Sequence, residues 1–242
     1  MTETKTRIAE CCKRLRLRKL TDNIELVEET DQELFLLKLL EMEVAHRDRV
    51  RVERAIKSAG FYSPKQLADF RFEEVTVPAT TSPQQITALQ FLSDRQNLIL
   101  YGNVGTGKTH LATALGIEAC KTGHRVAFYR TAALVNHLTQ LNDGGELDAF
   151  MKSVEKLDLL ICDEWGYVPV NRDGAQLLFG VVSACYEKRS LILTTNLEFS
   201  KWINIFGDET MTTAMIDRLV HHTHMLIFGG ESHRVKNSLM RQ

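Results

Sequence analysis

"LILYGNVGTGKTH", residues 98–110, decides the fold. Four apolar or aromatic residues run straight into three glycines within six positions, followed by Lys108 and Thr109. Glycine loses more backbone entropy on folding than any other residue, so glycines this close together serve a backbone path that other residues resist. The spacing is G-x-x-x-x-G-K-T, from Gly102 to Thr109. That is the phosphate-binding loop pattern, which belongs between a buried strand and a helix. Residues 97–101 read as the strand and residues 110–120 (HLATALGIEAC) as the helix. Backbone N–H groups over 104–109 would turn inward as an anion nest. A helix starting near Gly107 adds its positive end. The candidate nucleotide-binding residues are therefore Gly102, Asn103, Val104, Gly105, Thr106, Gly107, Lys108, Thr109 and His110. Lys108 would reach the β- and γ-phosphates and the Thr109 hydroxyl would ligate Mg²⁺, so the expected cofactors are ATP and Mg²⁺.

Downstream, apolar segments alternate with helical patterns. Strands are expected at 97–101, 125–130, 157–163, 190–195 and 224–228, with helices such as 174–188 and 209–222 between them. Short, continuously apolar strands separated by helices imply a parallel sheet covered on both faces. The expected fold is a doubly wound α/β domain with five parallel strands and its ligand at their carboxyl ends. Two helices, 131–141 and 146–156, fit between the second and third strands, separated by the turn "NDGG".

Polar residues at those carboxyl ends are candidates for chemistry. Asp163 closes "LDLLICD" and would hold the Mg²⁺ that bridges the phosphates, with Thr109. Glu164 follows at once and would orient and polarise an attacking water. Asn196, after "LILTT", would either bond the γ-phosphate or water or cap the next turn. Arg218 is either a surface arginine or one that enters a neighbouring subunit's phosphate site, and Arg234 follows the last strand within reach of its own. His221, His222 and His224 resemble metal ligands, but no Cys or acid sits at ligand spacing, so they read as helix-end and strand-start residues.

Composition bounds the rest. The 242 residues are 44% hydrophobic and 25% charged with net charge −1, as expected of a globular chain with no partner implied by overall charge. Five cysteines without a C-x-x-C pair, and no secretory leader, predict reduced thiols in a cytoplasm. No apolar run is long enough for a membrane span. Charge is uneven, however. Residues 5–19 hold seven Lys or Arg against Glu10, and 46–57 hold five against Asp48 and Glu53. Between them, 22–33 carry six acids. Gly60 and Pro64 then break the helical pattern. The expected division is a basic helical domain at 1–65 for DNA and self-assembly, a connector at 66–96, and a nucleotide domain at 97–242.

The basic runs supply Lys13, Arg14, Arg16, Arg18 and Lys19, with Arg47, Arg49, Arg51, Arg54 and Lys57. They are either solvated helix faces paired with the acids at 22–33 or a surface for duplex DNA. Their concentration, their arginine content and the absence of aromatic residues within either run favour the phosphate backbone of double-stranded DNA, read without sequence preference.

At this point "GTGKTHLATALG", "LLICDEWGYVPVNRDGAQLLF", "LTTNLEFSKW", "IDRLVHH" and "GESHR" together resemble the IstB-like ATPases of IS21-type insertion sequences. These are AAA+ proteins related to bacterial helicase loaders. The segment "LLKLLEMEVAHRDRVRVERAIKSAGF…LADFRF" resembles the family's N-terminal region, and the likeness covers about residues 31–236. It implies that Asn196 is the sensor-1 asparagine, Arg218 the arginine finger acting on the neighbouring subunit, and Arg234 a sensor-2-like arginine. It also implies that 131–156 is the added helical feature of the initiator and helicase-loader clade, and that the C-terminal helical lid is missing or minimal. Asn103 and Val104 stand where relatives commonly carry prolines, and His233 where a tyrosine is usual.

The implied activity is DNA-stimulated, Mg²⁺-dependent ATP hydrolysis by a homo-oligomer that assists transposition, engaging target DNA and the transposase of the same element in the bacterial cytoplasm. Helicase loading in replication is the alternative, since it shares almost every nucleotide motif. A small-molecule kinase would need an arginine-rich lid, which the sequence lacks.

Overall fold

The computed structural model describes residues 3–167 and 170–232. The chain divides into two compact units between Arg54 and Ala55.

The first unit is helical. Helix α1 spans Glu3–Arg14, α2 Arg18–Asn23, and α3 begins at Gln32 and runs to Ala59. Asp31 caps α3 by accepting from the N–H groups of Glu33 and Leu34, both at 2.9 Å. Arg16 adopts a left-handed φ of 59°, which turns the chain from α1 into α2. Glu43 is buried, yet it is satisfied. Its carboxylate accepts from the Lys19 N–H at 3.1 Å and from Arg47 Nε at 2.7 Å, while Arg47 also donates to the Arg16 carbonyl. The α1–α2 turn is thereby tied to α3.

The second unit holds a six-stranded sheet. Strands are β1 (Val75–Thr76), β2 (Asn97–Gly102), β3 (Val126–Arg130), β4 (Leu159–Asp163), β5 (Ser190–Thr195) and β6 (Thr223–Phe228), in the order β1-β6-β2-β5-β4-β3. All five expected strands are present and parallel. The sixth, β1, is an addition: it pairs antiparallel with β6, Val75 opposite Phe228 and Thr76 opposite Ile227. Two residues carry no periodicity, so the sequence gives no signal for it.

Helices cover both faces, as a parallel sheet requires. They are α4 (Pro83–Thr87), α5 (Gln90–Ser93), α6 (Lys108–Lys121), α7 (Thr131–Asp143), α8 (Leu147–Val154), α9 (Arg172–Cys185), α10 (Ile203–Phe206) and α11 (Glu209–Val220). Alternate strand residues feed two cores. Leu98, Leu100, Leu159, Ile161 and Ile192 pack with Leu111 and Leu115 of α6 on one face. Ile99, Leu160, Cys162, Leu191 and Leu193 pack with α7, α9 and α11 on the other. The connector joins the first core through Leu67, Phe70, Phe72 and Val75, and its short helix α4 is capped by Ser82, which accepts from the Gln85 N–H at 3.2 Å. Truncating fully buried Leu100 to Ala would cost about 3 kcal/mol.

Among the described residues, no helix is long and apolar enough to cross a membrane. The expected missing or minimal lid falls on residues outside those described, as do Arg234 and His233.

Candidate nucleotide site

The loop between β2 and α6 needs glycine for two distinct reasons. At Gly102 (φ 149°), a Cβ would lie 2.3 Å from the Phe228 carbonyl oxygen of the paired strand β6. At Gly107 (φ 100°), the chain takes a left-handed turn as the N-cap residue of α6. Lys108 is the first residue of α6, and its ammonium donates to the carbonyls of Gly102 at 2.7 Å and Asn103 at 2.6 Å. The cation thus lies across the loop that leads to it. Thr106 closes the loop by donating to the Asn103 carbonyl at 2.8 Å.

Asp163 ends β4 and is only 2% exposed. Its Oδ1 accepts from the hydroxyls of Thr109 at 2.8 Å and Thr194 at 2.6 Å. Its backbone carbonyl accepts from the Thr131 hydroxyl at 2.9 Å. Among the described residues, Oδ2 accepts no hydrogen bond and no basic side chain pairs with the carboxylate. A buried carboxylate without a cation is costly. The donor set beside it, carboxylate and hydroxyl oxygens, is the hard-oxygen kind that Mg²⁺ takes. The residues present therefore fit the ion, and Thr109 and Asp163 are the ones that would hold it.

Glu164 follows with a left-handed φ of 58°, strain on the order of 1 kcal/mol for a residue with a Cβ. Thr194 holds this turn. Its hydroxyl accepts from the Glu164 N–H at 2.9 Å while donating to Asp163, and its carbonyl accepts from the Trp165 N–H at 2.8 Å. The turn sends the next side chain inward: Trp165 is fully buried against Trp202 and Phe206. The Glu164 side chain stays half exposed, with Oε2 3.8 Å from Arg130 Nε. Arg130 itself lies over the Tyr62 ring, 4.3 Å from its centroid.

Lys108, Thr109, Glu164 and Thr194 line one cleft of about 430 Å³, with Asp163 buried behind Thr109 and Thr194. The phosphate loop supplies one wall, with Val104, Gly105, Gly107, Lys108, Thr109 and His110. The ends of β4 and β5 supply the other, with Glu164, Tyr167, Thr194, Thr195 and Asn196, and Lys65 enters from the connector. The structure thus brings Lys108, Thr109, Asp163, Glu164 and Asn196 to one sheet edge. A second cleft of about 470 Å³, walled by α7, shares Glu164 and Tyr167.

Arg218 does not line the cleft of its own chain. It is held on α11, donating to the Ala214 carbonyl at 3.0 Å and lying 4.7 Å from the Phe179 ring centroid. The three histidines separate. His224 is buried, with Nδ1 3.0 Å from Thr80 Oγ1 and Nε2 2.8 Å from Gln96 Oε1. His221 and His222 are exposed at the end of α11, and an acid distant in sequence stands beside them. Glu187 Oε1 lies 3.9 Å from His221 Nδ1 and 3.6 Å from His222 Nε2, because the end of α9 packs near the end of α11. Sequence spacing cannot reveal an acid delivered from another helix.

Sequence reasoning also missed Lys65, Thr194, Thr131, Arg130 and Tyr167. The signal for Thr194 was within reach: strand residues two apart share a face, so in "LTTN" the residue two before Asn196 faces the same way.

The candidate basic residues of 1–59 are placed on α1–α3, with Arg16 in the turn between α1 and α2. The side chains of Lys13, Arg14, Arg16, Lys19, Arg47, Arg49, Arg51, Arg54 and Lys57 are exposed, and that of Arg18 is outside the described ones. Lys19 pairs with Asp22 at 3.1 Å, Arg47 with Glu43 and Arg51 with Asp48 at 3.1 Å. Helical spacing puts Arg47, Arg51 and Arg54 on one face of α3 and Arg49 on the opposite one.

Comparison with known proteins places this architecture. The ATP-binding protein of insertion sequence IS21 from Pseudomonas aeruginosa is 37% identical over 202 residues, covering 84% of this chain and 76% of that protein. The ATP-binding protein of insertion sequence IS5376 from Geobacillus stearothermophilus is 31% identical over 244 residues, covering 98% and 97%. Among solved structures, AMPPCP-bound DnaA from Aquifex aeolicus superposes with a TM-score of 0.53 at 20% identity, over 70% of this chain and 51% of that one, a likeness of P-loop AAA+ fold. The model of the IstB-like ATP binding protein family matches residues 12–241, and the chain belongs to that family.

Proposed function

We propose that this protein is a Mg²⁺-dependent ATPase that assembles with ATP on double-stranded DNA and assists transposition, engaging target DNA and the transposase of its own element in the bacterial cytoplasm. The observation that carries the reading is the cleft at the ends of β2, β4 and β5. There a buried Asp163, which no basic side chain among the described residues pairs with, stands beside Thr109, and Glu164 lines the same space. The relatives' insertion-sequence origin supports the transposition setting.

The roles follow from position. Backbone N–H groups of 104–109 and the start of α6 would bind the phosphates. Lys108 would exchange its two loop carbonyls for phosphate oxygens. Thr109 and Asp163 would hold Mg²⁺, which neutralises charge as the phosphoryl group transfers. Glu164 would take up the proton of the attacking water as that water approaches the γ-phosphorus in line. Asn196 would hold the water or the γ-phosphate. Arg218 would act on the neighbouring subunit's γ-phosphate, and Arg234 on its own. Residues 1–65 serve DNA and assembly. The row of exposed apolar side chains on α3, Leu36, Leu37, Leu40 and Val44, supports assembly through that segment.

The test compares Lys108→Ala with Glu164→Gln in equilibrium ATP binding and in turnover, each with and without duplex DNA. Lys108→Ala should lose ATP affinity. Glu164→Gln should retain affinity and lose turnover. Equal affinity and turnover in wild type and Glu164→Gln would remove Glu164 from the chemistry.

A further inference from the structure

The connector contributes a cation to the nucleotide cleft. We infer that Lys65 is a nucleotide-binding residue that contacts the α- and β-phosphates, making the segment before the ATPase core part of the phosphate site; the inference rests on the cleft being the ATP site.

Three observations carry it. First, the Lys65 side chain lines the cleft in company with Gly105, Lys108, Thr109 and His110. Second, its backbone is anchored there. Pro64 precedes it with a fixed φ. The Gln66 carbonyl, one residue on, lies 3.1 Å from His110 Nε2 in the first turn of α6. Phe70 then packs against the His110 ring, 5.8 Å between centroids, and lies 3.4 Å from where a Cβ at Gly107 would be. The connector is thus fastened to the helix end that binds phosphate on both sides of the His110 ring, with Lys65 adjacent. Third, the Lys65 ammonium has no hydrogen bond or ion pair among the described residues.

Charge explains the need. A Mg²⁺-bound nucleoside triphosphate keeps about two net negative charges near neutral pH, and Lys108 offsets one of them. A second ammonium on this wall is attracted to the charge that remains. Its position fixes which phosphates it meets. Lys65 enters beside His110 in company with Gly105 and Gly107 of the loop, whose backbone N–H groups cradle the α- and β-phosphates. Lys65 therefore contributes equally to ATP and ADP, and its loss leaves the choice between them unchanged.

Binding also couples the connector to the nucleotide. Residues 64–72 lead from α3 into the first core, so a phosphate contact at Lys65 stabilises the bound arrangement of this segment.

The experiment measures equilibrium binding of fluorescent ATP and ADP analogues to the full chain, without turnover. Wild type is compared with Lys65→Met, which keeps an apolar stem and loses the charge, and with Lys65→Arg. Lys65→Met should weaken both nucleotides by about tenfold, equally, and flatten the salt dependence of binding. Lys65→Arg should restore most of the affinity, which a purely structural lysine stem would not require. Amide exchange over 64–72 should slow on adding ADP in wild type and not in Lys65→Met. Unchanged affinity in Lys65→Met beside a binding wild type would overturn the assignment alone, as would a loss confined to ATP. A wild type that binds neither nucleotide would overturn the ATP reading and Lys65 with it.

Discussion

The two regions of this chain carry charge in opposite ways. At the end of β4, one carboxylate is buried to 2% exposure and held by two hydroxyls at fixed distances. On α1–α3 and the turn at Arg16, nine of the candidate basic side chains stand in solvent, and three of them are engaged by acids of their own unit. The first arrangement is a point device. Its electrostatics are strong because water is excluded, and it fails when one atom is changed. The second is a distributed device. Each exposed charge is screened and individually weak, so removing one changes little and removing several changes the response to salt.

The sharpest way to break that contrast is at Glu164. Replacing it with Gln keeps shape and the bond from its N–H to Thr194, and removes the carboxylate. Turnover should fall by roughly 100-fold or more with ATP affinity retained. Any single substitution among the basic residues with an equal effect on turnover would show that the N-terminal unit is not distributed in this sense.

Next in size is the response of DNA binding. Lys13, Arg14 and Arg54 are exposed and have no partner among the described residues, so converting all three to Ala should leave the helices intact. If each meets one phosphate, the log–log salt slope on duplex DNA should flatten by about 2.7, with affinity near physiological salt down by about tenfold or more. Arg47→Ala is the control that separates charge from structure. Its guanidinium bonds Glu43 and the Arg16 carbonyl, so its loss should lower helix stability as well as DNA affinity. A triple variant with an unchanged slope would move the DNA surface elsewhere, to α7 and α8 on the nucleotide unit.

Arg218, in the role proposed for it, would bridge the two kinds of device as one charge that acts only through assembly. Mixing Arg218→Ala with Glu164→Gln subunits equally should restore activity well above the average of the two alone. With random exchange about a quarter of interfaces would pair an intact Glu164 with an intact Arg218, so activity should approach about a quarter of wild type. A mixture no better than the average, with exchange demonstrated, would make Arg218 a surface arginine packed on Phe179.

The same contrast governs how much was legible in the sequence. The phosphate loop is read directly because its geometry is local: Gly107 needs its left-handed turn within the motif itself. Buried strands such as Leu159–Asp163 show as apolar runs since both faces meet helices. Strand β1 is too short to have a period, and α4 and α5 are set by a cap and by tertiary packing. Thr194, Thr131, Arg130 and Lys65 reach the site because β3, β5 and the connector converge there, and convergence has no signature along the chain. In the basic unit, the sequence shows charge but not its use. The Glu43–Arg47 pair at i,i+4 was readable. The bond from Arg47 to the Arg16 carbonyl, across 31 positions, was not.

The smallest effect separates the regions by pH. Burial pushes the His224 imidazole below its usual value, with Asp94 acting weakly the other way. Its ring nitrogens meet Thr80 and Gln96, an arrangement that suits the neutral ring. A histidine whose folded value is depressed binds its proton more readily when unfolded. Its contribution to stability is therefore complete above the unfolded value, near 6.5. It is lost as pH falls below that value toward the lower folded one. Both tryptophans, Trp165 and Trp202, lie in the nucleotide unit beside α10, so their fluorescence reports that unit alone. The tryptophan-detected melting temperature should drop modestly between pH 7 and pH 5.5, and His224→Gln should lessen the drop while lowering stability at pH 7. The one histidine before residue 55 is His46 on α3, and the tryptophan signal does not report on it. A pH drop undiminished in His224→Gln would remove the buried ring as its cause.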